Sequence, residues 1–362
     1  EENLMFYVVH SNVRVYIDKK LVYSNEAKSN AKLSSSPGCF WTKIAFEPDD
    51  TGKTVLIQIE PVYKNMIHRV INFYEGKQYS VFLLTLQREL LPMVLGFTLM
   101  ILGIIYFVVS VYYKAENRNA TNFVYLGLLA LLVGIWNVFD TRFMAWFIEG
   151  NERYIAILSN ISVILIPIAF QLHIISNYEK DDKFKRFMIG SATADMIIAL
   201  CAYALDILKI FDIRQFTDYY LYYMAVLIFI LLVFQIFRLS REKKNFDNVF
   251  IVASVIILLI CSLVDIVFFF NKNRVSSPNS IMIGTLIYVS VYALITLKDM
   301  HDTYSRDRAT GLYNRNKCNE IIRYANDIKS TVIMFDVNNL KYINDTFGHE
   351  AGDTVLKAFA DV

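Results

Sequence analysis

The sequence predicts a multidomain chain: an antiparallel β-sandwich of jelly-roll-like kind, a seven-helix transmembrane bundle, and the first part of an α/β domain. Three observations carry this prediction. The apolar residues are gathered into seven long blocks, short alternating runs precede them, and an apolar run ending in an acid follows them. Of 362 residues 55% are apolar and 19% charged, against about 45–50% and about 25% in average soluble domains. With a mean hydropathy of +0.38, a disordered chain is excluded and an ordinary soluble enzyme disfavoured. The net charge of +2 gives no electrostatic footprint for nucleic acid. Cys39, Cys201, Cys261 and Cys318 lie far apart, so neither a disulfide framework nor a zinc site is expected.

Residues 1–88 read as a β-rich sensor domain outside the cytoplasm. Val13, Val15 and Ile17 alternate with Arg14 and Tyr16; Asp18-Lys19-Lys20 interrupts, and Leu21-Val22-Tyr23 resumes, the pattern of a hairpin. Phe40–Phe46 is a further strand candidate. The turn residues Pro48–Gly52 precede a period-2 run, Thr54–Ile59. Short strands at this spacing suit a sandwich or jelly roll. The chain opens Glu1-Glu2-Asn3 without a leader peptide, so sequence upstream is expected. His10 and His68 read as isolated surface residues.

Residues 89–297 hold the seven blocks, Leu90–Tyr113, Phe123–Phe139, Tyr154–Ser176, Phe187–Leu205, Tyr219–Phe237, Val249–Phe270 and Ile281–Leu297. Each has the length that crosses a hydrocarbon core about 30 Å thick as a helix. The loops at 114–121, 177–186 and 238–246 carry ten Lys and Arg, the alternate loops six. The richer set should face the cytoplasm, placing the N-terminus outside and the C-terminus inside. Trp136, Trp146 and the tyrosines of Tyr219–Tyr223 fit an outer aromatic belt.

Ionisable groups at bilayer depth are costly and often functional. Asp195 falls mid-span in the fourth block, a candidate for a ligand pocket or switch, or for an inter-helix hydrogen bond. Asp265 in the sixth reads the same way, or as a water-exposed end near Lys272. Gln171 and His173 follow Pro167 in the third, and His173 reads as interfacial.

Residues 298–306 form a short polar linker that can continue the last span as a helix. Beyond it, Ile321–Ile328 fits a helix, and Thr331-Val332-Ile333-Met334-Phe335 fits a strand buried on both faces. That run ends in Asp336. One carboxylate can start a Mg²⁺ site whose other ligands are phosphate oxygens. Lys341 is a mobile charge suited to phosphate. Asn344 and Asp353 offer groups for the edge of a base, and Gly348 and Gly352 permit tight turns and close approach. A plain strand-loop-helix with a capping Asp explains the same residues equally well.

The stretch Asp307–Asn316 (D-R-A-T-G-L-Y-N-R-N) resembles the opening D-x-L-T-G-L-x-N-R-R of the GGDEF family of diguanylate cyclases. Asp336–Leu356 resembles that family's D-x-x-x-F/L-K-x-x-N-D-x-x-G-H-x-x-G-D-x-x-L run. The spans and β-domain, more loosely, resemble bacterial seven-transmembrane sensory receptors joined to such cyclases.

The resemblance implies a ferredoxin-like α/β domain over 307–362, N-terminal part only. Asp336 would bind Mg²⁺ (or Mn²⁺) with the carbonyl of Val337; Asn344 and Asp353 would hold the guanine of GTP; Lys341 would lie near the triphosphate. Asn338 stands where many relatives carry Asp, and Ala309 replaces the usual Leu. Two GTP would be joined into cyclic di-GMP by a homodimer of such domains in a bacterial inner membrane, under control of an unknown external ligand. The signature loop G-G-D/E-E-F, with its further carboxylate, is expected beyond Val362. Residues 1–362 alone are therefore expected to be inactive, and no catalytic residue is assigned. The alternatives are a degenerate domain that binds GTP or cyclic di-GMP without turnover, and a transporter with a regulatory tail. Against the transporter, the spans show no obvious internal repeat.

Overall fold

The structure is a computed structural model and describes residues 3–27, 36–63, 72–115, 120–148, 150, 152–176, 183–241, 246–271, 279–307, 310–324, 331 and 333–361. The chain divides into two units, Glu1–Ser290 and Val291–Val362.

The alternating runs of the first unit form strands. β1 (Asn3–Val9), β2 (Ser11–Ile17), β3 (Lys20–Asn25), β4 (Cys39–Ala45), β5 (Val55–Pro61) and β6 (Phe73–Gly76) make two antiparallel three-stranded sheets, ordered β4-β1-β6 and β3-β2-β5. The expected β2–β3 hairpin turns at Asp18 and Lys19, both with positive φ (44° and 71°), as a tight hairpin turn demands. Asp18 also accepts the Thr54 amide at 2.9 Å, tying the hairpin to the β5 side. The two sheets share one apolar core: Phe6, Val8, Phe40 and Ile44 from the first meet Val13 and Val15 from the second.

Two strands escape the alternation. β1 reads Asn-Leu-Met-Phe-Tyr-Val-Val because both its faces are covered: Phe6 and Val8 point into the sheet–sheet core, while Met5 packs with Trp41, Val81 and Ala145. Val81 belongs to the first membrane helix, α1 (Gln78–Ala115), and Ala145 to a 3-10 turn, Met144–Trp146. Trp41 stacks on Trp146 at 5.1 Å between ring centroids and donates its indole N–H to the Arg142 carbonyl at 3.0 Å. Sheet and helices are therefore packed together within one unit. Burial also pushes the Tyr7 phenol well above its ordinary pKa.

All seven expected spans are helices of membrane-crossing length and apolarity: α1, α2 (Thr121–Asp140), α3 (Glu152–Ser176), α4 (Lys183–Ile207), α5 (Ile213–Arg241), α6 (Phe246–Asn271) and α7 (Ser280–Tyr304). Their outer faces carry exposed aliphatic and aromatic side chains such as Val108, Val111, Val226 and Phe229. In water these would be a liability; against lipid they are ordinary contacts. α1 has 38 residues, about 57 Å of helix, and starts well ahead of the apolar run at Leu90. Its early turns are the part that docks on the sheet. α7 continues through the polar stretch after Leu297, as the sequence predicts. Of the charged loop residues, Arg118, Lys180, Lys243, Lys244, Lys272 and Arg274 lie outside the described residues, as does His68.

α1 and α2 pack antiparallel on paired glycines. A Cβ on Gly134 would sit 2.6 Å from the Gly96 carbonyl oxygen, and one on Gly103 2.8 Å from that of Gly127. Each pair is spaced by seven residues, so the same face recurs every two turns and the backbones touch. Small residues are what allow such approach between membrane helices. Gly134→Val should force the helices apart, an overpacking cost of about 1–3 kcal/mol. Thermal unfolding in detergent should show a lowered midpoint. Gly190→Ala, at a position in α4 with open space around it, should not lower it.

Candidate functional site

The C-terminal unit begins by folding its opening motif into a turn. Asp307 Oδ1 accepts from the Thr310 amide (3.0 Å) and hydroxyl (2.9 Å). Its carbonyl takes the Gly311 amide at 2.9 Å. Gly311 has φ 72°, a conformation other residues avoid. Arg306 donates to the Gly311 carbonyl at 2.8 Å. Asn314 Oδ1 accepts the Lys317 amide at 3.1 Å, capping the start of α8 (Arg315–Tyr324). The polar residues of this motif thus hold backbone. Arg308 and Ala309 lie outside the described residues, and of the expected helix Ile321–Ile328 only the part to Tyr324 is described.

The buried strand expected at 331–335 is not formed among the described residues. Ile333, Met334 and Phe335 are exposed, Met334 at 92%. A strand buried on both faces needs neighbours to pair with and layers above and below. The described residues of this unit offer no second strand, only an isolated bridge between Arg306 and Tyr313. Phe335 nevertheless meets Phe359 edge-on, with centroids 5.9 Å apart.

Asp336 follows, exposed, with Val337 half-buried. The chain then forms α9 (Leu340–Phe347), which carries Lys341 and Asn344, and α10 (His349–Ala360), which carries Asp353. Asn339 enters α9 in the left-handed conformation (φ 60°), and Gly348 joins the helices with φ 88° and ψ 162°. Packing brings the Asn344 amide against Gly352; any Cβ there would collide with its Oδ1. The two residues expected to read guanine therefore lie on adjacent helices, Asn344 touching the residue before Asp353. Lys341 is exposed one turn before Asn344. The metal expectation rests on the Asp336 carboxylate and Val337 carbonyl. Among the described residues no group of three or more His, Cys, Asp or Glu gathers to hold an ion. These are oxygen donors, which suit Mg²⁺, and their small number leaves most of its shell to phosphate and water.

The polar residues of the membrane unit have specific partners. Asp195 is fully buried; Gln171 donates to it at 2.5 Å, and Tyr223 also hydrogen-bonds to it. Ser191 donates to Gln171 Oε1 at 2.9 Å, so one network joins α3, α4 and α5. The other singled-out residues also have definite surroundings. His173 is fully buried among the helices, with Nδ1 3.1 Å from the Asn122 carbonyl oxygen in the first turn of α2 and its ring edge-on to Tyr288. Asp265 is not a water-exposed end: its two oxygens accept the Ser280 and Ile281 amides at 3.0 Å each. It caps the N-terminus of the next helix across space, satisfying amides that have no intrahelical acceptor. His10 is likewise no surface residue. It is buried at the β1–β2 corner with φ 48°, and Nδ1 is 2.7 Å from Ser36 Oγ.

Seven helices long and apolar enough to cross a membrane are thus followed by a turn-and-helix segment that carries Asp336, Asn344 and Asp353. The family described as "Diguanylate cyclase, GGDEF domain" matches residues 304–362; the chain joins seven candidate membrane helices to GGDEF sequence. An uncharacterized protein, YtrP of Bacillus subtilis (strain 168), is 41% identical over 58 residues. That match covers 16% of this chain and 10% of YtrP, so the chain spans about a tenth of that relative's length. No solved structure matches the chain.

Asp265→Ala should uncap α7 and cost about 0.5–2 kcal/mol. The check is hydrogen exchange at the Ser280 and Ile281 amides, which should speed up in the variant, while Asp265→Asn keeps one acceptor and part of the protection.

Proposed function

We propose that this chain belongs to a sensory diguanylate cyclase of the bacterial inner membrane, with a jelly-roll-like sensor (1–88) outside, the bundle (89–297) in the bilayer, a linker (298–306), and the cyclase domain from 307 inside. The observation that carries this is the run from Asp336 to Asp353, in sequence within a matched GGDEF segment and in space on two adjacent helices.

Asn344 and Asp353 present an amide and a carboxylate to the guanine edge of GTP, and the contact of Asn344 with Gly352 keeps them together. Lys341 supplies positive charge to the triphosphate. Asp336 and the Val337 carbonyl would hold Mg²⁺, which would supply stabilisation of the charge developing on the α-phosphate. The 3′-hydroxyl of each GTP attacks the α-phosphate of the other and releases pyrophosphate. Because one domain holds one GTP, two chains must face each other, and the dimer supplies the orientation. The ten-to-six loop charge bias supports the cytoplasmic placement of this domain.

The test is cyclic di-GMP formation from GTP and Mg²⁺ by the domain completed through its G-G-D/E-E-F loop. Loss of a metal ligand removes several kcal/mol of transition-state stabilisation, so Asp336→Ala should lower turnover on the order of 100-fold or more. Its circular dichroism should stay unchanged. Undiminished turnover would falsify the metal assignment.

A further inference from the structure

The first unit contains a cavity of about 260 Å³. Its roof is the edge of the first sheet, at Tyr7, His10 and Cys39. From there it descends between α3, α5 and α6. On α5 the lining runs from Arg214 to Leu231, about 25 Å along the axis, most of the depth of a hydrocarbon core. The walls at depth are mostly apolar, with Val163, Ile166, Met224, Leu227 and Leu258 among them, and Gln171 of the Asp195 network is a polar exception. Charge is confined to the roofed end.

That end holds two arginines, Arg142 and Arg214. The Arg142 guanidinium lies over the Tyr7 ring at 5.4 Å, and that of Arg214 over Phe269 at 5.8 Å, with Asp218 3.5 Å away. The carboxylates beside them already have work. Glu152 accepts the Gly150 amide at 2.8 Å, and Asp265 caps α7. Asp140 is not without a partner either.

A second observation points to an occupant. Thr285, on the α7 wall of the same cavity, is fully buried, and its hydroxyl has no hydrogen-bond partner among the described residues. A buried orphan hydroxyl is costly, and a polar ligand atom beside it would relieve that cost.

We propose that this cavity binds a long-chain carboxylate, with the acid head at Arg142 and Arg214 beneath the sheet and the hydrocarbon chain running down between α3, α5 and α6. The fork of an arginine matches a carboxylate, and a narrow apolar channel in a bilayer protein suits hydrocarbon over water. This inference concerns the membrane unit and stands whether or not the C-terminal domain turns over GTP.

The probe is a fatty acid carrying a mid-chain diazirine, added to the full chain in phosphatidylcholine nanodiscs and activated by light. Adducts are expected on Met224, Leu227 or Leu258, suppressed by excess oleate and not by oleyl alcohol. Removing one charged contact costs about 1.5–3 kcal/mol, so Arg142→Gln should weaken oleate competition about tenfold or more. Leu227→Trp, which fills the channel, should reduce labelling at Met224 and Leu258, with gel filtration showing an intact protein for both variants. Labelling confined to lipid-facing residues such as Val226 and Phe229, equal suppression by oleyl alcohol, or unchanged behaviour of both variants overturns the proposal.

Discussion

The Trp41 seam fixes the arrangement of the first unit. A sheet face bearing Met5, Tyr7, Trp41 and Tyr74 must be covered, because a packed layer needs an apolar partner. Here the cover is supplied by the early turns of α1 and the connection after α2, at Val81, Ala145 and Trp146. Trp41 anchors it with an indole bond to Arg142 and a ring contact with Trp146. Three features follow. α1 extends past the bilayer length in order to reach the sheet; β1 loses its alternation because both faces are buried; and the bundle acquires a roof over the space between α3, α5 and α6. In this unit the sheet is a lid packed on the bundle, not a separate bead on a tether.

The membrane spans were legible because hydrocarbon leaves no choice. Backbone groups must bond within the helix and side chains must be apolar, so composition alone marks the membrane-crossing part of each helix, though not the extensions of α1 and α7 beyond it. The half-buried strands were legible for a related reason: β2 and β5 face the core on one side only, and the period of two survives. β1 and β6 were not. Burial on both sides writes β1 as a continuous apolar run, and β6 is four residues long. The glycines of α1 and α2 held a readable signal, since two pairs share a seven-residue spacing, but which helix they face is a tertiary fact.

Single polar residues were the least legible. The cost of a buried carboxylate or imidazole says that a partner must exist, not which one. Asp265 finds backbone amides fifteen and sixteen positions away, His10 a serine twenty-six away, and His173 a carbonyl fifty-one away. None of these separations has a local signature. In the C-terminal unit the balance differs. Asp307, Gly311 and Asn314 act on their immediate neighbours, so motif and structure coincide there. The run 331–335 depends on pairing partners, and its apolar pattern alone did not make it a strand.

The cap on α7 ties neighbouring helices of the bundle to one another. Asp265 sits on α6 yet completes the first turn of α7, while the Tyr106 hydroxyl holds the α7 backbone at Val289 (2.9 Å) and His173 meets the ring of Tyr288. α7 is thus fastened to α6, α1 and α3 at points along its length within the first unit. A shift of α6 either carries the first turn of α7 with it or leaves two amides without acceptors, at about 0.5–2 kcal/mol. The cheaper course is for the helices to move together. Beyond the first unit, the sequence from Val291 to Asp307 carries no glycine or proline.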